Sequence, residues 1–110
     1  MGQVESTCCP IARTATLIGD RWTPLIVRDL APGCQRFSEL QRSLDGISPK
    51  SLSARLRRLE EAGVVTRSSY AEMPPRVEYR LTDKGHALLA VIDSMRDFGL
   101  FWLSDTRRDS

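Results

Sequence analysis

Between residues 48 and 59 the chain carries Lys50, Arg55, Arg57 and Arg58 and no acidic side chain. A solvated helix ordinarily mixes both signs so that side chains four apart can pair, so a run of one sign points to a polyanionic partner. At helical spacing Leu52, Leu56 and Leu59 turn one way, into a core, while Lys50, Ser51, Ala54, Arg57 and Arg58 turn the other, with Ser53 and Arg55 on the flanks. Cations of this kind bind phosphates or guanine edges, and the small Ser51 and Ala54 let a helix come close to base edges. The chemistry expected of this segment is therefore contact with DNA.

A second chemistry rests on sulfur. Cys8 and Cys9 are adjacent, which is no metal-ligand spacing, and with Cys34 in a loop and one histidine in the chain no zinc site is expected. Cys9 precedes Pro10 and so falls at the N-cap of a helix, where unpaired N–H groups and the helix dipole favour a thiolate, with Arg13 one turn on. Cys8 is a candidate resolving thiol, better placed to bond another subunit than its neighbour. His86 has no nucleophile near it in sequence, and there is no Gly-rich phosphate loop, so no catalytic residue and no cofactor are expected.

The elements that must position these residues are legible in turn. Ser38 three residues before Gln41 predicts a capped helix with Phe37, Leu40 and Leu44 on its apolar side, ended by Asp45-Gly46. Ser48 is the expected N-cap of the basic helix, with Pro49 at its first position. After Gly63 the pattern alternates, predicting strands over 64–70 and 76–81, the second with Val77, Tyr79 and Leu81 inward and Arg76, Glu78 and Arg80 outward. The tip between them holds Pro74-Pro75, which cannot donate to a ladder, and places Arg76 and Arg80 for a phosphate backbone or minor groove. Helix, turn, basic helix and hairpin in this order make a winged helix-turn-helix over 37–81.

Cys9-Pro10-Ile11, Ile18-Gly19-Asp20-Arg21-Trp22-Thr23-Pro24-Leu25-Ile26, Arg36-Phe37-Ser38-Glu39-Leu40, Leu52-Ser53-Ala54-Arg55-Leu56-Arg57-Arg58-Leu59-Glu60 and Pro74-Pro75-Arg76-Val77-Glu78-Tyr79-Arg80-Leu81-Thr82-Asp83-Lys84-Gly85 together resemble the HxlR-type transcriptional regulators. The resemblance covers about 9–102. Two departures are visible: Asp20 stands where members commonly carry a second Gly, and Phe98-Gly99 where Trp-Gly is usual. The resemblance implies a DNA-binding repressor or dual regulator acting as a homodimer. It also implies, for several members, that the Cys of the Cys-Pro motif senses an oxidant or electrophile; an inert capping cysteine at Cys9 is the alternative.

Composition and charge agree. A chain of 110 residues is expected to form a single domain over 1–110, mainly α with a small antiparallel β-wing. The net charge is +2, and the surplus lies in residues 36–80, with nine basic against six acidic side chains. No stretch is long or apolar enough to cross a membrane, and the N-terminus lacks the plan of a signal peptide, so a cytoplasmic protein is expected.

Residues 1–31 and 82–104 read as a dimerisation frame: a helix over 10–18, a second over 21–31 with Trp22, Leu25, Ile26 and Leu30 inward, and a last helix from Thr82 to about Leu103. The expected interface is Ile11, Leu88, Val91, Ile92, Met95, Phe98 and Trp102, too broad a stripe for a monomer to leave open. Two subunits would read a palindromic or near-palindromic duplex. A winged-helix protein-docking or RNA-binding module is the competing class, and such a module would dispense with the basic face retained here.

Overall fold

Proline and short polar side chains set most helix starts. The computed structural model describes residues 9–103. In it α1 (Pro10–Ile18) opens with Pro10 at its first position behind an extended Cys9, and closes at Gly19. The next corner belongs to Asp20. Its Oδ1 accepts the amides of Trp22 and Thr23, each at 2.8 Å, and its Oδ2 accepts the Thr23 hydroxyl at 2.6 Å. That turn delays α2 (Thr23–Leu30) by two residues from the expected start at 21 and leaves Pro24 harmlessly in its first turn.

A two-residue strand, β1 (Gln35–Arg36), runs straight into α3 (Phe37–Ser43). This helix begins one residue before Ser38, so Ser38 is not its cap. The carboxylate of Glu39 closes the first turn instead, accepting the Arg36 amide at 2.7 Å. Gly46, at φ +96°, makes the turn out of α3 in a backbone region that side chains avoid. Then α4 (Pro49–Glu61) starts as expected, with the Ser48 hydroxyl accepting the Ser51 amide at 3.0 Å.

The wing is a hairpin of β2 (Val65–Tyr70) and β3 (Arg76–Leu81), and the antiparallel sheet has the order β1-β3-β2. Val65 faces Leu81, Arg67 faces Tyr79 and Ser69 faces Val77 across the ladder. Directly opposed residues project to one side, so Arg67 shares its side with Tyr79, Leu81 and Val65. The last helix, α5 (Asp83–Phe98), is capped by Thr82, whose hydroxyl oxygen accepts the Gly85 amide at 3.1 Å. It was expected to stay regular to about Leu103, but Gly99–Leu103 form a π-helical turn instead.

Ile26, Val27, Leu30, Leu40, Leu52, Leu56, Leu59, Val64 and Val65 are almost wholly buried, so the core is where α2, α3, α4 and the sheet meet. From α5 only Leu88 and Ile92 of the expected stripe reach it. Val91, Met95 and Phe98 stay exposed, and the apolar surface runs on through Leu100, Phe101, Trp102 and Leu103. Ile11 on α1 is 81% exposed. None of the described helices is long and apolar enough to cross a membrane.

Candidate nucleic-acid interface

The leucines of α4 fix its orientation: with Leu52, Leu56 and Leu59 buried, Lys50, Ser53, Ala54 and Arg57 are exposed and Ser51 is half-buried at the first turn. Arg57 stands on the flank facing the wing, where Ser53, Arg57 and Glu60 line an open cleft against Arg67 and Tyr79. The basic helix and β2 thus place two arginines on one cleft. Arg67 was not among the residues singled out by the run of charge in 48–59. The signal was present in the strand alternation, since an arginine opposite the inward Tyr79 has to face the helix packed on that side.

On the other flank of α4, Arg58 is exposed as the spacing predicts, but its guanidinium has partners within the protein. Arg58, placed on the outward face by spacing, donates from Nη2 to the carbonyl of Thr16 at 2.9 Å and of Leu17 at 3.4 Å. Its Nη1 lies 4.0 Å from Asp20 Oδ2. Arg55 donates from Nε to Asp20 Oδ1 at 3.1 Å and is half-buried. A wheel gives the angle about the helix's own axis; the corner between α1 and α2 fills that side and supplies the acceptors. Burial by itself would raise the pKa of Asp20. The Thr23 hydroxyl, the Thr23 and Trp22 amides and the Arg55 guanidinium outweigh it and hold the carboxyl below the ordinary aspartate value.

In the wing, Arg76 was expected to project outward, but it is held within the hairpin. Its Nη2 is 3.1 Å from Glu72 Oε2, its Nε 3.4 Å from Glu78 Oε2, and its guanidinium lies over the Tyr70 ring. Arg80 is exposed, as the alternation predicts. Among the described residues, Lys50, Arg57, Arg67 and Arg80 make no ion pair with the protein's own acids. On α4 and the wing, these four exposed cations are left without an acidic partner.

Of the cysteines, Cys9 is exposed at the head of α1 and makes no capping hydrogen bond through its side chain. Cys8 lies outside the described residues. The exposed Cys34 has its Sγ 3.7 Å from Glu78 Oε1, beside the base of the wing. His86 is exposed and its Nδ1 is 3.0 Å from the Thr82 carbonyl oxygen. No group of three or more metal-ligating side chains occurs among the described residues.

Known proteins share this fold. The HTH-type transcriptional regulator YvaP of Bacillus subtilis is 39% identical over 106 residues, spanning 96% of this chain and 98% of its own. Among solved structures, a transcriptional regulator of the MarR family from Porphyromonas gingivalis W83 superposes with a TM-score of 0.83 at 36% identity, covering 87% of this chain and 94% of that one. The redox regulator HypR in its oxidized form superposes with a TM-score of 0.81 at 33% identity, over 88% of this chain and 100% of its own. The family model of the HxlR-like helix-turn-helix matches residues 17–107, and the chain belongs to that family.

Proposed function

We propose that the protein is a transcriptional regulator that binds double-stranded DNA as a homodimer, with α4 in the major groove and the wing against the neighbouring backbone. The observation that carries this reading is the exposed α4 surface, where Lys50 and Arg57 stand without ion-pair partners around the small Ser53 and Ala54, continued by Arg67 and Arg80 on the wing. Lys50, Ser51, Ser53, Ala54 and Arg57 are the groove-facing set, and Arg67 and Arg80 meet phosphates. A protein-docking wing would have no use for cations so arranged, and an RNA-binding one would not need the small side chains that let a helix enter a DNA major groove.

The test is a salt titration of binding to a labelled duplex. Affinity falls steeply between 50 and 200 mM salt when several phosphates are neutralised, on the order of a hundredfold or more. A weak, salt-insensitive interaction would remove the proposal. The same reading places the protein in the cytoplasm, beside the DNA it regulates.

The dimer part rests on the surface formed by Ile11, Val91, Met95, Phe98 and Trp102 together with Leu100, Phe101 and Leu103. Isolated exposed apolar side chains need no explanation, but eight on α1, α5 and the turn that follows it do. A second copy presenting the same elements covers it, with Leu88 and Ile92 anchoring α5 to the subunit's own core. Two reading helices related by a two-fold axis then fit half-sites about 34 Å apart on a palindromic or near-palindromic operator, which suits a repressor or dual regulator.

Thiol control is a further part of the proposal. Cys9 is exposed at the start of α1, one residue before Pro10 and two before Ile11, which line the apolar groove between α1 and α5 with Val91 and Met95. An oxidant or electrophile that modifies it alters the surface on which the second subunit would sit, and HypR, so similar in fold, is a redox regulator. The Cys9→Ser variant should keep its DNA mobility shift in diamide while the parent protein changes. If both respond alike, Cys9 has no part in the response.

A further inference from the structure

We propose that Asp20 is a positioning residue of the reading helix: it holds Arg55 and Arg58 on the corner between α1 and α2, so that two of the four cations of α4 are withheld from DNA. The inference rests on the DNA-binding reading above and specifies which charges take part in it.

Asp20 is well built for the task because it is itself immobilised. Three donors from Trp22 and Thr23 fix both carboxylate oxygens, so the charge does not swing as a surface aspartate would. Arg55 Nε approaches Oδ1 at 3.1 Å and Arg58 Nη1 lies 4.0 Å from Oδ2. Arg58 is held from a second side by the carbonyls of Thr16 and Leu17, the last turn of α1, where the helix dipole is negative. The side chain of Arg55 is 27% exposed and that of Arg58 47%, so Arg55 is half-buried while Arg58 is held at an exposed position by its partners.

A guanidinium held in this way is less free to neutralise a phosphate, so it adds less to attraction for arbitrary sequence. Specificity is a difference of affinities, and it rises when cations that would bind any phosphate are kept out while the base-facing side chains remain. Asp20 therefore lowers non-specific binding without touching DNA.

The experiment uses the full chain and a labelled duplex of random sequence, with the dissociation constant followed against KCl concentration. Asp20→Asn keeps an oxygen to accept the Trp22 and Thr23 amides and removes the charge. It should bind several-fold more tightly near 100 mM salt, with the log–log slope steeper by about one per subunit for each arginine released. Adding Arg58→Ala to Asp20→Asn should take back about half of the increment, the share of Arg58, while Arg58→Ala alone should leave the slope of the parent protein. A purely architectural Asp20 would alter stability and leave the slope alone.

The inference fails if Asp20→Asn, folded by circular dichroism, has the parental slope. It fails equally if Arg58→Ala alone flattens the slope as Arg57→Ala does, a comparison that decides the matter even should Asp20→Asn not fold. A parent protein with no salt-dependent binding would bring down the DNA-binding reading and this inference together; a parent that binds with either of the failures above brings down the Asp20 assignment alone.

Discussion

The guanidinium of Arg76 lies 4.2 Å from the centre of the Tyr70 ring, its direct partner across the wing. Glu72 and Glu78 grip the same side chain at 3.1 and 3.4 Å. Cation, ring and two carboxylates make Arg76 a strut that joins both strands of the hairpin to its tip, and its charge is spent inside the wing. Arg76→Ala should therefore cost about 1 kcal/mol of stability and leave the salt slope of duplex binding unchanged. Arg67→Ala should do the reverse, flattening the slope by about one per subunit with little change in stability. Urea unfolding and fluorescence anisotropy on the two variants separate strut from contact.

Gly85 makes a different kind of contact. A Cβ built there would stand 2.3 Å from the Val64 carbonyl oxygen and 2.9 Å from Leu81 Cδ2. The carbonyl cannot retreat, because it also accepts the Thr82 amide at 3.0 Å and so ties the start of α5 to the end of α4. Gly85→Ala should destabilise the protein by roughly 1–3 kcal/mol through forced displacement of backbone. Gly33, with nothing within 4 Å of its Cβ position, is the control: Gly33→Ala should stay within about 0.5 kcal/mol of the parent in urea.

Acid should loosen the α1–α2 corner in a defined direction. The folded-state pKa of Asp20 is depressed, for although burial raises it, the Thr23, Trp22 and Arg55 hydrogen bonds lower it further. The contribution is then fully present above the unfolded aspartate value near ~3.9 and is lost as pH falls through the folded one. Between about pH 5 and pH 2 the urea midpoint of the parent protein should fall more steeply than that of Asp20→Asn, the two curves converging at the acid end. Parallel curves would show that the carboxylate contributes no pH-dependent stability.

Local signals carried most of the fold. Ser48-Pro49 and Thr82 mark helix starts by side-chain chemistry that acts within three residues, and the alternation of Val77, Tyr79 and Leu81 names a buried face directly. What escaped were relations set by neighbours distant in sequence. Strand β1 has two residues, too few for a period, and exists only because Gln35 and Arg36 meet Tyr79 and Glu78. Arg55 and Arg58, on the Asp20 flank, lie in the same run of charge as Lys50 and Arg57, and nothing in that run tells that Thr16, Leu17 and Asp20 stand beside one flank and Arg67 beside the other. Asp20 was visible as a departure from the family pattern, and its partners 35 and 38 residues away were not.

The strongest consequence of the uncovered apolar surface concerns assembly. Val91, Met95 and Phe98 are exposed on α5, and the Phe101 and Trp102 rings beyond them pack edge to face, 4.9 Å apart at 80°. A ring pair 76% and 68% exposed gains little from the described residues of its own subunit, and the proposed dimer contact would cover it. Phe98 is 58% exposed and no member of the buried core, so Phe98→Asp should leave the monomer folded while placing an unpaired charge in the dimer contact. Sedimentation at micromolar concentration should show the parent as a dimer and the variant as a monomer. Because a monomer engages one half-site at a time, the variant should also lose about a hundredfold in affinity for a two-half-site duplex while binding a single half-site as the parent does. A parent protein that sediments as a monomer, or a variant that still pairs, would move the contact away from α5.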